Sequence, residues 1–121
     1  MIKVYYRKNC NSSRKVLEWF QEHSISIRKT PLNQIHSEDL VKILQLTDTG
    51  MPEITKSVSA CRSLSKKKLV NLEKMKLKEG IDYLVANTEL LRSPIILDLN
   101  KMMVGYNEEN IRQFISNRKP Y

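Results

Sequence analysis

The residue with the most chemistry in its setting is Cys10, in the run Arg7-Lys8-Asn9-Cys10-Asn11-Ser12-Ser13-Arg14. A β-branched and aromatic segment, Ile2 to Tyr6, precedes it, and Val16, Leu17 and Phe20 follow at helical spacing. This pattern puts the thiol at a turn between a strand and a helix, where unpaired amides and the positive end of the helix dipole favour a thiolate. Arg14, one turn into the helix, and the flanking Arg7 and Lys8 add positive charge. Cys10 is therefore a candidate redox thiol, with Ser13 and Arg14 beside it in the motif. Ser13 stands where a dithiol motif would place its second sulfur, which leaves Cys10 a mixed disulfide, a sulfenic acid or a bridge to a distant thiol. The alternative is a small residue that fills a crowded turn.

The other chemistry-bearing residues are dispersed. Cys61 lies among Arg62, Lys66, Lys67 and Lys68, but no redox or metal motif surrounds it. His23 and His36 have no ligand spacing with the cysteines and read as surface residues, so neither a metal nor a cofactor is implied. There is no Gly-rich phosphate loop and no nucleophile-elbow serine. Trp19, Phe20 and Phe114 fall on predicted helices and read as core rather than as platforms for single-stranded nucleic acid. Two cysteines are too few for a disulfide scaffold, and no apolar run approaches the ~18–20 residues that cross a bilayer. The apolar N-terminal segment is too short for a signal-peptide core, so the chain is expected to be cytoplasmic, to meet no membrane and to keep two thiols.

The elements that must position Cys10 follow from composition and pattern. The chain has 121 residues, a net charge of +8, 40% apolar residues, 3 Gly and 4 Pro. That supports one compact domain over residues 1–121, able to bury roughly two-thirds of its extended surface. After the first strand and helix, Ile25-Ser26-Ile27 is expected to return as a second strand. Ser37 starts a helix as a capping hydroxyl, with Glu38 and Asp39 in its first turn; Leu40, Val41, Leu44 and Leu46 are its buried side, and Gly50 with Pro52 ends it. Short helices with a basic outer face are predicted from about residue 53 to 92, with Leu69, Leu72, Met75, Leu77, Ile81, Leu84 and Val85 as the apolar positions. Pro94 opens a hairpin of Ile95-Ile96-Leu97 and Met102-Met103-Val104, turning at Asp98-Leu99-Asn100. Asn107 caps a last helix whose apolar face is Ile111, Phe114 and Ile115. Four strands in one mixed sheet with flanking helices give the outline of a thioredoxin-like α/β domain, carrying a helical insertion as a lobe at about residues 30–92.

Charge is uneven along the chain. From Cys61 to Gly80 there are seven basic residues and two acidic ones, which account for five of the eight excess charges. Such a segment is either a solvated helical face or a surface that meets anions.

Three stretches carry a resemblance: the Cys10 turn, Leu90-Leu91-Arg92-Ser93-Pro94-Ile95-Ile96, and Val104-Gly105-Tyr106-Asn107-Glu108 followed by Ile111-Arg112-Gln113-Phe114. With them the chain resembles the Spx and arsenate-reductase (ArsC-like) family over nearly its whole length, and the resemblance implies the same thioredoxin-like fold with an added helical lobe. The family holds two functions. Its glutaredoxin-linked arsenate reductases have Cys-x-x-Ser-Arg, which Cys10, Ser13 and Arg14 reproduce, and hold the oxyanion with arginines. In this chain Ser93, Val58 and Gly105 align with those arginines. Losing a guanidinium from a phosphate-like site costs about 2–5 kcal/mol by analogy with truncated charge pairs, so arsenate reduction is the alternative, with Arg92 and Pro94 as a candidate anion or structural site.

The Spx regulators of the family bind the C-terminal domain of the RNA polymerase α subunit and redirect stress-responsive transcription. Their contact surface includes a glycine after the second helix, and Thr47-Asp48-Thr49-Gly50 stands at that place, which makes Thr47, Asp48 and Gly50 candidate partner-binding residues. The competing reading of Gly50 is a helix C-cap. The resemblance also lets the basic segment between Cys61 and Gly80 face promoter DNA within the complex. Ser13 removes the dithiol switch typical of Spx, Val58 lacks an arginine on which switching depends, and the sequence ends at Arg118-Lys119-Pro120-Tyr121 without the longer tail of Spx. The expectation is a divergent regulator without an internal dithiol switch and without a cofactor.

Overall fold

The computed structural model describes residues 1–116; Arg118 to Tyr121 lie outside the described residues. The chain runs β1 (Ile2–Tyr6), α1 (Asn11–Glu22), β2 (Ile27–Pro31), α2 (Ser37–Leu46), α3 (Ser63–Glu73), α4 (Leu77–Ala86), β3 (Ile95–Leu97), β4 (Met102–Val104) and α5 (Gln113–Ser116). The four strands form one sheet in the order β2-β1-β3-β4. β1 and β2 are parallel, as the α1 crossover requires, while β1–β3 and β3–β4 are antiparallel. This is the thioredoxin-like mixed sheet with flanking helices that the sequence predicts.

Side chains alternate across the sheet, and each face is covered. Ile2, Val4, Ile96 and Met103 meet Val16, Trp19 and Phe20 of α1 together with Ile111 and Phe114. The opposite set, Tyr5, Ile95 and Leu97, packs on Leu40 and Ile43 of α2, Leu69 and Leu72 of α3, and Ile81 and Leu84 of α4. Burial on both faces explains why β1 and β3 read as nearly continuous apolar runs rather than as alternating ones. Phe20 and Phe114 meet edge to face with ring centroids 5.8 Å apart, which fixes the C-terminal segment to α1.

Several local expectations change. β2 begins at Ile27 rather than Ile25, because the Ile25 N–H donates to Phe20 O (3.0 Å) and so still belongs to the exit from α1. Ser37 does not act as a cap: the cap position of α2 is His36, and no side-chain hydrogen bond is made there. Ser13 Oγ accepts from the Arg7 N–H at 3.1 Å. On α2 Leu40 is buried and Leu44 and Leu46 pack partly buried against the same core as expected, but Ile43 is buried as well and Val41 is 39% exposed. The helix stops at Leu46, where the Thr47 N–H donates to Leu44 O (3.2 Å), so Gly50 is not its C-cap. Leu77 and Ile115 are exposed. Asp39, expected only as a first-turn acid, is buried and accepts hydrogen bonds from Lys3 and Tyr5. Asn107 Oδ1 accepts from the N–H groups of Glu109 (2.9 Å) and Asn110 (3.0 Å), but α5 begins only at Gln113, after a 3-10 turn at Asn110–Arg112 whose own cap position is Glu109.

Candidate functional site

Cys10 occupies the cap position of α1, half-buried, with its carbonyl accepting from the Arg14 N–H at 3.1 Å. The other wall comes from the segment before β3. The Ser93 hydroxyl donates to Cys10 Sγ at 3.2 Å, and Ser93 O lies 3.8 Å from the sulfur as an acceptor for the thiol proton. Ser93 precedes a cis peptide bond to the buried Pro94, whose carbonyl accepts from the Gly105 N–H at 2.8 Å. Burial pushes the Cys10 thiol up, but hydrogen bonds from the Ser93 and Ser13 hydroxyls and from the Ser13 and Ser12 amides outweigh it. The thiol ends below its ordinary pKa, which makes Cys10 the more nucleophilic at neutral pH.

Of the arginines around this turn, Arg7 and Arg92 give guanidinium donors to backbone carbonyls. Arg14 is exposed on α1. Arg7 is half-buried beside the thiol, but its Nη2 donates to Thr88 O and, at 3.3 Å, to Leu91 O. Burial lowers the Arg7 pKa, offset in part by the negative charges of Cys10 and Glu89. Arg92 directs its Nε to Thr55 O (2.8 Å) and its N–H to Ile54 O (2.9 Å), bracing the 54–56 segment against the approach to β3. Val58 lies 38% exposed in the wall of a groove that Arg92 also lines, and Gly105 turns the chain after β4 at φ +79°. The fold thus brings Ser93 to the Cys10–Ser13 turn, while Arg14 stands exposed on α1 and Arg92 binds Thr55 O.

The second place the sequence singles out is the loop between α2 and the turn Met51–Glu53. Thr47 Oγ1 donates to Leu44 O (2.6 Å) and accepts from the Gly50 N–H (3.1 Å). Glu53 Oε1 accepts from the N–H groups of Asp48 (2.9 Å) and Thr49 (2.7 Å) and from the Thr49 hydroxyl (3.0 Å). These bonds, the Thr49 amide first, hold the Glu53 carboxyl below the usual carboxylate range. Gly50 sits at φ +86° with nothing within 4 Å of where a Cβ would stand, so backbone conformation demands the glycine and the space beside it is open. Glu53 is a residue that sequence reasoning missed; its signal is an acid three residues after Gly50, the spacing at which a helical first-turn acid reaches back to preceding amides.

Beyond Gly50 the chain enters a groove of about 670 Å³, lined by Met51, Leu69, Leu72, Leu77 and Arg92 among others. On the neighbouring helices Lys66, Lys67, Lys74, Lys76 and Lys78 are exposed, and Lys68 pairs with Glu89 at 2.7 Å. Among the described residues no group of three or more His, Cys, Asp or Glu is placed to hold a metal ion, and no helix is long and apolar enough to cross a membrane.

Comparison with known proteins adds to this geometry. A sequence profile described as the ArsC family matches residues 5–114. The chain is 36% identical over 118 residues to the global transcriptional regulator Spx of Lactiplantibacillus plantarum, covering 95% of this chain and 86% of that protein. It is 32% identical over 117 residues to the global transcriptional regulator Spx 1 of Oceanobacillus iheyensis, covering 95% and 87%. Among solved structures, an ArsC family related protein from Bacteroides fragilis superposes with a TM-score of 0.76 at 18% identity, over 93% of this chain and 95% of that one.

Proposed function

The chain belongs to the ArsC family, and from that membership we propose that it is a Spx-like regulator that docks its Thr47–Gly50 loop on the C-terminal domain of the RNA polymerase α subunit and so modulates stress-responsive transcription in the cytoplasm. Near full-length identity to relatives named as global transcriptional regulators supports a regulatory role. The observation that carries the docking is the Gly50 loop itself: hydrogen-bonded from both sides, left-handed at Gly50 and open to a partner's backbone. Thr47, Asp48 and Gly50 supply the contact, and the basic segment between Cys61 and Gly80 faces promoter DNA within the complex. Ser13, which lends its oxygen to the Arg7 amide, leaves this regulator without a local dithiol switch.

The test is a titration of the purified polymerase α C-terminal domain with the wild-type chain and with Gly50→Arg. Saturable binding lost in the variant is the expected result, and no binding by the wild type refutes the assignment. One observation favours a second reading: the lowered pKa of Cys10 suits a monothiol nucleophile in arsenate reductase-like chemistry. Glutathione-coupled turnover of arsenate that disappears in Cys10→Ser would establish it. Arg7 and Arg92 weigh against it, because each spends guanidinium donors on backbone carbonyls that an oxyanion would have to displace.

A further inference from the structure

We infer that Glu53 is the positioning residue of the docking loop: its carboxylate holds the Thr47–Gly50 backbone in the shape a partner meets, without itself supplying the contact. The inference rests on the docking reading above and names what sets that surface.

Between the end of α2 at Leu46 and the turn at Met51 only four residues intervene, and the amides of Asp48, Thr49 and Gly50 are tethered by side chains. Thr47 Oγ1 takes the Gly50 amide, and a single Glu53 oxygen takes the amides of Asp48 and Thr49 and the Thr49 hydroxyl, all between 2.7 and 3.1 Å. The Glu53 N–H in turn donates to Gly50 O at 3.1 Å. Backbone and side chain of the same residue therefore return to the loop from opposite directions and close it into a ring. Three donors on one ionised oxygen make charge-assisted bonds, stronger than those a water molecule offers to the same amides. Thr47 alone leaves two consecutive peptide units free to rotate, and these are the units that lead into Gly50. The φ of +86° at Gly50 supplies the turn, and Glu53 selects one loop conformer from the several that a glycine allows.

The experiment compares the full chain as wild type, Glu53→Ala and Glu53→Gln, with Gly50→Arg as the non-binding control. Three quantities are measured: affinity for the polymerase α C-terminal domain, amide hydrogen exchange at Asp48 and Thr49, and melting temperature. Glu53→Ala is expected to weaken binding about tenfold and to speed exchange at both amides, with melting unchanged, because an exposed loop adds little to global stability. Glu53→Gln keeps an acceptor oxygen and loses the charge, so it gives intermediate values of both readouts. Wild-type affinity in Glu53→Ala overturns the inference, as does unchanged exchange at Asp48 and Thr49. If the wild type itself does not bind, the docking reading fails, and exchange alone then decides whether Glu53 sets the loop. Should the alanine variant melt early, Glu53→Gln arbitrates: faster exchange at normal melting supports the role, and unchanged exchange removes it.

Discussion

At Asp39 a carboxylate that is 4% exposed accepts from Lys3 Nζ (3.2 and 3.0 Å) and from the Tyr5 hydroxyl. Burial pushes this carboxyl up, but the bonds from Tyr5 and Lys3 more than reverse it, so its pKa lies below the ordinary 3.8. A depressed carboxylate contributes stability that is present above the unfolded pKa and lost as pH falls through the folded one. Unfolding free energy is therefore expected to decline below about pH 4 more steeply in the wild type than in Asp39→Asn, read from urea midpoints across pH. Tyr5 works in the other direction: burial and then the bond and charge of Asp39 raise it above its ordinary 10.0, so its contribution holds below that value and fades as pH rises past it. Asp39→Ala should cost about 2–3 kcal/mol, less than a fully buried pair because Lys3 can rehydrate. Cys10 makes a second residue-scale prediction. It should be alkylated faster than Cys61 at neutral pH, and Ser93→Ala, which removes the 3.2 Å donor, should slow Cys10 several-fold and move its rate-versus-pH curve upward. Equal, slow labelling of both cysteines in the wild type would make the Cys10 turn purely structural. The sequence signals the thiol's own turn but not Ser93, which reaches it from 83 residues away.

At the scale of elements, α4 carries a glycine in its interior, where alanine would stabilise a helix by about 1 kcal/mol. The fold supplies the reason: a Cβ on Gly80 would meet Met51 Cε at 2.8 Å and Leu72 Cδ1 at 3.3 Å. Met51 follows Gly50, so α4 is notched to receive the residue at the end of the Thr47–Gly50 loop. Gly80→Ala should therefore gain less by itself than in a Met51→Ala background, where only the 3.3 Å contact with Leu72 still offsets the gain of up to about 1 kcal/mol. Thermal or urea melts of the four proteins of this cycle measure the coupling, and equal effects of Gly80→Ala in both backgrounds would show that the notch is not used. The helical pattern through Gly80 is readable in sequence. Its purpose is not, since the partner side chain comes from another element.

Over the whole molecule the exposed lysines of residues 61–80 and the Thr47–Gly50 loop lie on the side of the sheet that α2, α3 and α4 cover. If the exposed lysines meet promoter phosphates beside the polymerase domain, assembly of the three-component complex should weaken linearly in log affinity against log salt. Lys67→Ala should then lower the slope by about one, while binding to the polymerase domain without DNA stays unchanged. An unaltered slope would leave the lysines as a solvated face. Mobility-shift titrations at several salt concentrations give both slopes.

Strand and helix order, the hairpin after Pro94, the Asn107 turn and the strand-to-helix turn at Cys10 are legible in the chain alone. All of these depend on residues close together in the chain, where periodicity, turn chemistry and capping act. Tertiary structure alone decided that Ser93 donates to the thiol, that Asp39 takes Lys3 and Tyr5 as partners, and that Gly80 makes room for Met51. It also turned Arg7 and Arg92 toward backbone carbonyls instead of a ligand. Such contacts join groups far apart in the chain, and only the packing of the sheet against its two helical layers fixes which of them meet.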